Sequence, residues 1–251
     1  MNNKKEILAL IPARKGSKSI KNKNLISMLG KPLIYWSINL ALNSKYITRT
    51  IVSTNSTKIQ NISKYYGAES PFLRPEEISQ DESLDIETFT HALNWLSENE
   101  NYTPDLVVHL RPTGPARRVS EVDKAIRLMN KAEDADALRS VSVAKQTPYK
   151  MWFIGKDYLN PVINNDKEYH STPRQKLPKV FWQNGYVDII RPKTILKKKS
   201  MVGKCCLGFE IKEDVLDIDY PEDIEIVSNK LKEIQDKPLL KNTTSNNRFS
   251  V

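Results

Sequence analysis

A short apolar run, Ile7 to Ile11, delivers the chain into a bend that carries five basic side chains and one glycine between Leu10 and Leu25. A run of this kind reads as a buried strand, and Pro12 and Gly16 then break its hydrogen-bond ladder so that backbone N–H groups can turn toward an anion. Arg14 offers a planar fork to phosphate oxygens, while Lys18 and Lys23 act as movable point charges. The Walker pattern, a Gly-Lys-Ser/Thr ending that opens a helix, is a different motif. Here the basic residues continue past Ser17, which suits a triphosphate lying along a loop.

Apolar runs and helical periodicity alternate beyond this bend. A helix is expected from Pro32, with Leu33, Trp36 and Leu40 beside Ile34, Ile38 and Ala41 as a broad buried face. A strand at Ile51–Ser53 and helices near Thr57–Tyr66 and Leu84–Leu96 follow, then a strand at Leu106–Leu110 and a helix near Ser120–Met129. This βαβ alternation implies a largely parallel sheet covered on both faces, with ligand loops at one edge. From about Gln146 the composition turns to proline, aromatic and polar residues. That stretch, about 146–185, reads as an insertion whose Trp, Tyr and Arg content suits a dimer contact. The core resumes at Tyr186–Ile190 and closes with a helix from Pro221 buried on Ile224, Val227, Leu231 and Ile234. Residues 1–235 are therefore expected to form one domain, and 236–251 a flexible polar tail.

The net charge of +9 raises a nucleic-acid reading, so its distribution decides. Residues 1–30 and 191–204 each carry +6, which leaves the remainder at −3. Two compact clusters suit a small polyanion better than a duplex, and residues 10 to 25 lack the aromatics that stack on bases. The bend is therefore assigned no nucleic-acid partner, and Lys197, Lys198 and Lys199 read as a solvated loop. No apolar run approaches the ~20 residues of a bilayer helix, so no membrane partner is expected. Adjacent Cys205 and Cys206 are unsuited to a structural disulfide, which fits a cytoplasmic protein.

Other groups suggest chemistry. Asp217 and Asp219 sit two apart in an apolar strand context, which would put both carboxylates on one face and let them hold one Mg²⁺ or Mn²⁺ beside phosphate. The competing reading makes Asp219 the N-cap of the helix that Pro221 starts. Arg74, before Pro75, and Arg111-Pro112-Thr113, after an apolar run, both lie where chain leaves a sheet, and sites collect at such ends. His91, His109 and His170 have no metal-ligand spacing. No Ser-His-Asp or Cys-His arrangement supports covalent hydrolysis.

Ala13-Arg14-x-x-Ser17-Lys18 with Lys23-Asn24 resembles the amino-terminal signature of the acylneuraminate cytidylyltransferases, which make CMP-sialic acid and related CMP-nonulosonates. Leu73-Arg74-Pro75, Arg111-Pro112-Thr113-x-Pro115-x-Arg117, Pro173-Arg174-Gln175-x-Leu177-Pro178, Asn184-Gly185 and Asp217-Ile218-Asp219 follow in that family's order, across roughly residues 5 to 230. The resemblance implies an α/β, Rossmann-like fold of the nucleotide-diphospho-sugar transferase type, mostly parallel with helices on both faces, plus a dimerisation insertion. It also implies a homodimer that uses CTP and a nonulosonic acid. Lys18, Lys23 and Asp219 would be catalytic, with Asp217 and Asp219 holding the metal. Ala13, Arg14, Gly16, Ser17, Asn24, Arg74, Pro112 and Thr113 would contact the nucleotide, and Arg111, Arg174, Gln175 and Asn184 the sugar. Arg174 would pair with the sugar carboxylate, or else stand in the dimer interface. The chain departs from the family pattern at Arg111, Gly114 and Asn55, where relatives usually carry Gln, Ser and Asp. A CMP-Kdo synthetase or another sugar nucleotidyltransferase is the neighbouring alternative.

Overall fold

The computed structural model describes residues 5–164 and 167–236. In chain order the strands and helices are β1 (Ile7–Pro12), β2 (Ser27–Met28), β3 (Lys31–Pro32), α1 (Leu33–Leu42), β4 (Arg49–Ser53), α2 (Thr57–Tyr65), α3 (Asp85–Glu100), β5 (Leu106–His109) and α4 (Val119–Lys131). They continue with β6 (Ala137–Val143), β7 (Trp152–Ile154), β8 (Leu159–Pro161), β9 (Phe181–Ile190), α5 (Pro192–Leu196), β10 (Cys206–Glu210) and α6 (Asp223–Asp236).

Six strands form the central sheet in the order β10-β6-β9-β5-β1-β4. β1 pairs in parallel with β4 and β5, and β10 with β6, whereas β9 runs antiparallel between β5 and β6. The two-residue period of a strand sorts β1 onto two cores. Ile7, Ala9 and Ile11 pack with Ile34 and Ile38 of α1, Ile59 of α2 and Val122, Ile126 and Met129 of α4. Leu8 and Leu10 face the other way, onto Phe89, Leu93 and Leu96 of α3 and Ile195 of α5. Burial of each such side chain contributes about 1.5–3 kcal/mol, so β1 is fixed in place from both sides. The carboxyl ends of β1, β4 and β5 then open onto one edge, and the cationic bend leaves from the first of them.

A third core explains how the two ends of the chain meet. Val227 and Leu231 of α6 pack with Ile20 and Met28 after β1, with Leu33 and Trp36 of α1, and with Ile218. Docking α6 on the bend draws residues 217–219 to it.

Several local expectations change. Pro32 is the N-cap of α1, not its first helical residue, with ψ at 148°. The last helix starts at Asp223, whose carboxylate accepts the backbone N–H groups of Asp219 (2.8 Å) and Tyr220 (2.7 Å). Asp219 is therefore not its N-cap. Residues 211–219 form no strand, so the same-face argument for Asp217 and Asp219 fails, and other contacts hold the pair. β9 begins at Phe181, paired to Val143, which puts 181–185 in the sheet and not in the arm. Lys197, Lys198 and Lys199 are exposed, and Lys198 is also tied down, its Nζ donating to Asp136 Oδ1 at 2.5 Å. The expected tail lies outside the described residues, apart from Asp236.

Candidate active site

The bend is built by exchanges with its neighbours. Ala13 continues the ladder through its N–H to Ser53 O (2.9 Å), and Lys15 N–H goes to Asn55 Oδ1 (2.8 Å). Asn24 braces the loop by donating to the Arg14 carbonyl at 2.9 Å. Among the described residues none accepts from the backbone N–H of Gly16, Ser17 or Lys18. Those donors are what an anion at the bend would take.

A cleft of about 260 Å³ opens over this loop. Its walls carry Arg14, Gly16, Ser17, Lys23 and Asn24 from the bend, Arg74 and the turn after it, and Arg111, Pro112 and Thr113 from the end of β5. The structure thus gathers most of the expected nucleotide residues in one place. Ala13 is buried beside them as part of the core, and Lys18 stands at the rim in an adjoining cavity.

Neither Asp217 nor Asp219 lines the cleft itself, but each is tied to a residue that does. Lys23 Nζ donates to the Ile218 carbonyl at 2.8 Å and lies 3.5 Å from Asp219 Oδ1. Thr113 Oγ1 donates to Asp217 Oδ1 at 3.4 Å, and the Ile218 N–H donates to the Thr113 carbonyl at 2.8 Å. Burial pushes the Asp217 carboxyl up from the usual range, opposed mainly by Arg117. No group of three or more His, Cys, Asp or Glu side chains that could hold a metal occurs among the described residues. Mg²⁺ needs only one or two carboxylates when phosphates supply the rest, so this donor set fits it, and a cation would relieve the desolvated charge on Asp217.

Arg117 lies behind this corner. It donates to the carbonyls of Tyr186 (2.5 Å), Arg111 (2.7 Å) and Gly185 (3.4 Å), and burial pushes its pKa down to about 10. A Cβ on Gly114 would come within 2.8 Å of Asp217 Oδ1 and 2.9 Å of Arg117 Nη2. The serine usual in relatives would therefore force one of these side chains to move. Arg111 extends from β5 to Asp188 (3.0 Å) and Asp85 (3.1 Å), which anchor its guanidinium in the cleft wall. Below it His109 is fully buried, and burial, with Arg111 adding to the effect, holds it neutral by lowering its pKa well below the usual value.

Three expected sugar residues are not in this cleft. Arg174 and Gln175 sit on a short turn of the arm, where Arg174 Nη2 donates to the Lys145 carbonyl at 2.7 Å, and they line a separate cavity with Leu177 and Val180. Asn184 is buried in β9, with its amide between Ser142 Oγ (2.8 Å) and the Tyr186 N–H (3.1 Å). Arg74 touches the cleft but is 6% exposed, and its own bonds go to Ser79 Oγ (2.9 Å) and Thr88 Oγ1 (2.7 Å). Sequence reasoning missed Asp81, Asp85 and Asp188, and gave Arg117 a place in a motif but no role. The available signal for Asp81 and Asp85 was the acid-rich run Glu76 to Asp85, the complement of the basic bend.

Residues 8–199 match the model of a family described as cytidylyltransferase. An N-acylneuraminate cytidylyltransferase of Escherichia coli O18:K1:H7 is 30% identical over 231 residues, covering 88% of this chain and 51% of the relative. The chain thus spans about half the length of that protein. A CMP-N,N'-diacetyllegionaminic acid synthase of Legionella pneumophila is 31% identical over 93% of this chain and 99% of its own. A pseudaminic acid cytidylyltransferase of Campylobacter jejuni is 28% identical over 87% and 93%. Among solved structures, a CMP:2-keto-3-deoxy-manno-octonic acid synthetase complexed with CTP superposes with a TM-score of 0.67 at 15% identity, over 91% of this chain and 99% of that one, a likeness of fold.

Proposed function

This chain belongs to the cytidylyltransferase family, and from that premise we propose that it transfers CMP from CTP to a nonulosonic acid and releases pyrophosphate. The observation that carries this reading is Lys23, which joins the cationic bend to the Ile218 carbonyl and Asp219. A single CTP could then touch both the phosphate-binding loop and the acidic corner. Relatives named for neuraminic, legionaminic and pseudaminic acids support an acceptor of that class.

Arg14, Lys18 and the free N–H groups of Gly16, Ser17 and Lys18 would hold the β- and γ-phosphates and stabilise departing pyrophosphate. Lys23 would neutralise charge developing at the α-phosphorus, where the acceptor's anomeric hydroxyl attacks in line. Asp217 and Asp219 would hold Mg²⁺ or Mn²⁺, which supplies phosphate charge neutralisation and makes a nearby hydroxyl more acidic. Arg111 would form the acceptor side of the cleft, set in place by Asp85 and Asp188. We further propose a homodimer formed through the arm that bears Arg174, acting in the cytoplasm. No helix among the described residues is long and apolar enough to cross a membrane.

The test is mass spectrometry of products from a panel of nonulosonic acids and Kdo, each with CTP, UTP and ATP and with or without Mg²⁺. A CMP-nonulosonate formed only with CTP and metal is the expected product. Turnover with Kdo alone would favour the neighbouring synthetase, and thermal stabilisation by oligonucleotide but not by CTP would favour a nucleic-acid protein.

A further inference from the structure

The run from Glu76 to Asp85 holds five acids and lies opposite the basic bend. Asp81 Oδ1 is 2.5 Å from Arg14 Nη2, and Asp81 Oδ2 is 2.8 Å from Lys18 Nζ. One carboxylate, gripped on both oxygens by a guanidinium and an ammonium, uses the donors that a phosphate would use. Glu76 holds Lys15 at 2.9 Å through one oxygen and accepts from the Asn55 amide at 2.9 Å through the other. The Asp81 side chain also stands between two cavities, the cleft of about 260 Å³ and a neighbour of about 310 Å³, which share Arg14, Gly16, Ser17 and Asp81 in their walls. Withdrawing that carboxylate would remove one of the walls they share.

The turn that carries Asp81 is closed around it, the Ser83 N–H donating to the Gln80 carbonyl at 3.2 Å, while among the described residues the Asp81 carboxylate itself bonds only to the bend. Arg74 Nε donates to Ser79 Oγ, Ser79 Oγ donates to the Pro75 carbonyl (2.7 Å), and the Gln80 N–H goes to Ser83 Oγ (2.8 Å). The Asp81 side chain is 31% exposed and contributes to none of the three cores, so it can leave the bend without disturbing the sheet.

We propose that Asp81 is an internal counter-ion that occupies the seat of the terminal phosphates and competes for it with the tail of a di- or triphosphate. The proposal rests on the cytidylyltransfer reading and adds to it a built-in competitor that weakens the hold on CTP and on departing pyrophosphate but not on CMP. A CTP tail brings several negative charges against one carboxylate and displaces it. A monophosphate does not extend that far, so Asp81 returns to Arg14 and Lys18 once pyrophosphate has gone, and the CMP-linked product is left without its strongest anchors.

The experiment is calorimetric titration of the full chain and its Asp81→Asn and Asp81→Ala variants with CTP, pyrophosphate and CMP at fixed Mg²⁺ and ionic strength. Losing two half-exposed ionic contacts should tighten CTP and pyrophosphate binding about three- to tenfold. CMP affinity should not change, and adding Arg14→Gln to Asp81→Asn should cancel the gain. Unchanged or weaker CTP binding in both variants, or an equal gain for CMP, would overturn the role of Asp81. A wild-type chain that binds no CTP would instead overturn the reading on which it rests.

Discussion

Lys23 and Lys18 leave the same bend with the same charge, yet their surroundings give them unequal work. Lys23 has an 11% exposed side chain fixed on a carbonyl and an aspartate, whereas Lys18 is 82% exposed and pairs with Asp81. A preorganised, desolvated cation stabilises developing charge far better than a solvated one. Lys23→Ala should therefore lower kcat by about 10²–10³-fold, while Lys18→Ala should raise KM for CTP by only about tenfold. Pyrophosphate release at saturating acceptor separates the two, and equal losses would contradict the division. The basic residues were legible in sequence because they cluster within a few turns of chain. Their pairings were not, since Asp81 lies 63 residues from Lys18, and Asp219, itself singled out with Asp217, lies 196 from Lys23. Asp136 makes the same point. Buried at 2% exposure, its carboxylate accepts from Lys198 Nζ and from the backbone of Lys204 (2.9 Å) and Cys205 (3.3 Å), with Gly203 at φ +64° leaving no room for a Cβ against it. Lys198 foremost, with those N–H groups, holds its pKa well below the usual carboxylate range. The stabilisation is thus fully present above the unfolded value of about 3.9 and fades as pH falls toward the folded one. Asp136→Asn should melt several degrees below wild type at pH 7, with the gap narrowing below pH about 4 in a melting series.

Helix α6 ties stability to chemistry, unlike the helices on the main faces of the sheet. Its Leu231 and Val227 pack on Ile20, Met28 and Ile218, so the same contacts that bury them fix the bend relative to Asp217 and Asp219. Leu231→Ala should cost about 2–5 kcal/mol and should also raise KM for CTP, read below the melting temperature. Phe89→Ala, in the α3 core away from the bend, should cost about 3–5 kcal/mol and leave KM unchanged. If the two variants behave alike, α6 only adds stability. The buried faces of α1, α3 and α4 were legible because an apolar row at helical spacing is a local signal. The partners of β9 were not: its antiparallel place between β5 and β6, with Gly185 at φ +67° inside it, follows from pairing with Val107–His109 and Ala137–Val143, which no window of chain contains. Residues 211–219 misled for the opposite reason. Their apolar content comes from side chains such as Ile211 and Ile218 that are buried in different cores, and not from a strand.

At the scale of the molecule, the arm is the part the single chain does not account for. The β7–β8 hairpin displays Phe153, Ile154, Tyr158 and Leu159 to solvent, Ile154 at 89% exposure, with Trp182 exposed at the start of β9. A two-stranded hairpin has little stability alone, and an exposed apolar patch is the kind of surface at which proteins associate. The arm also bears Arg174, which this chain keeps apart from the cleft in which Arg14, Lys23 and Arg111 meet. The sequence motif around Arg174 could be read, but its destination could not, because a residue on an arm is placed by whatever the arm rests against. If a second copy supplies that surface, sedimentation of the 28.8 kDa chain should give a species of twice that mass. Phe153→Glu combined with Ile154→Lys should then yield monomers at micromolar concentration that melt close to wild type, since neither side chain enters a core. Titrating both proteins with CTP and following turnover with acceptor locates the consequence. Retained CTP binding with a raised KM for the acceptor would assign the arm to the sugar half of the reaction, whereas a monomeric wild type, or variants that remain dimeric, would remove the arm from assembly altogether.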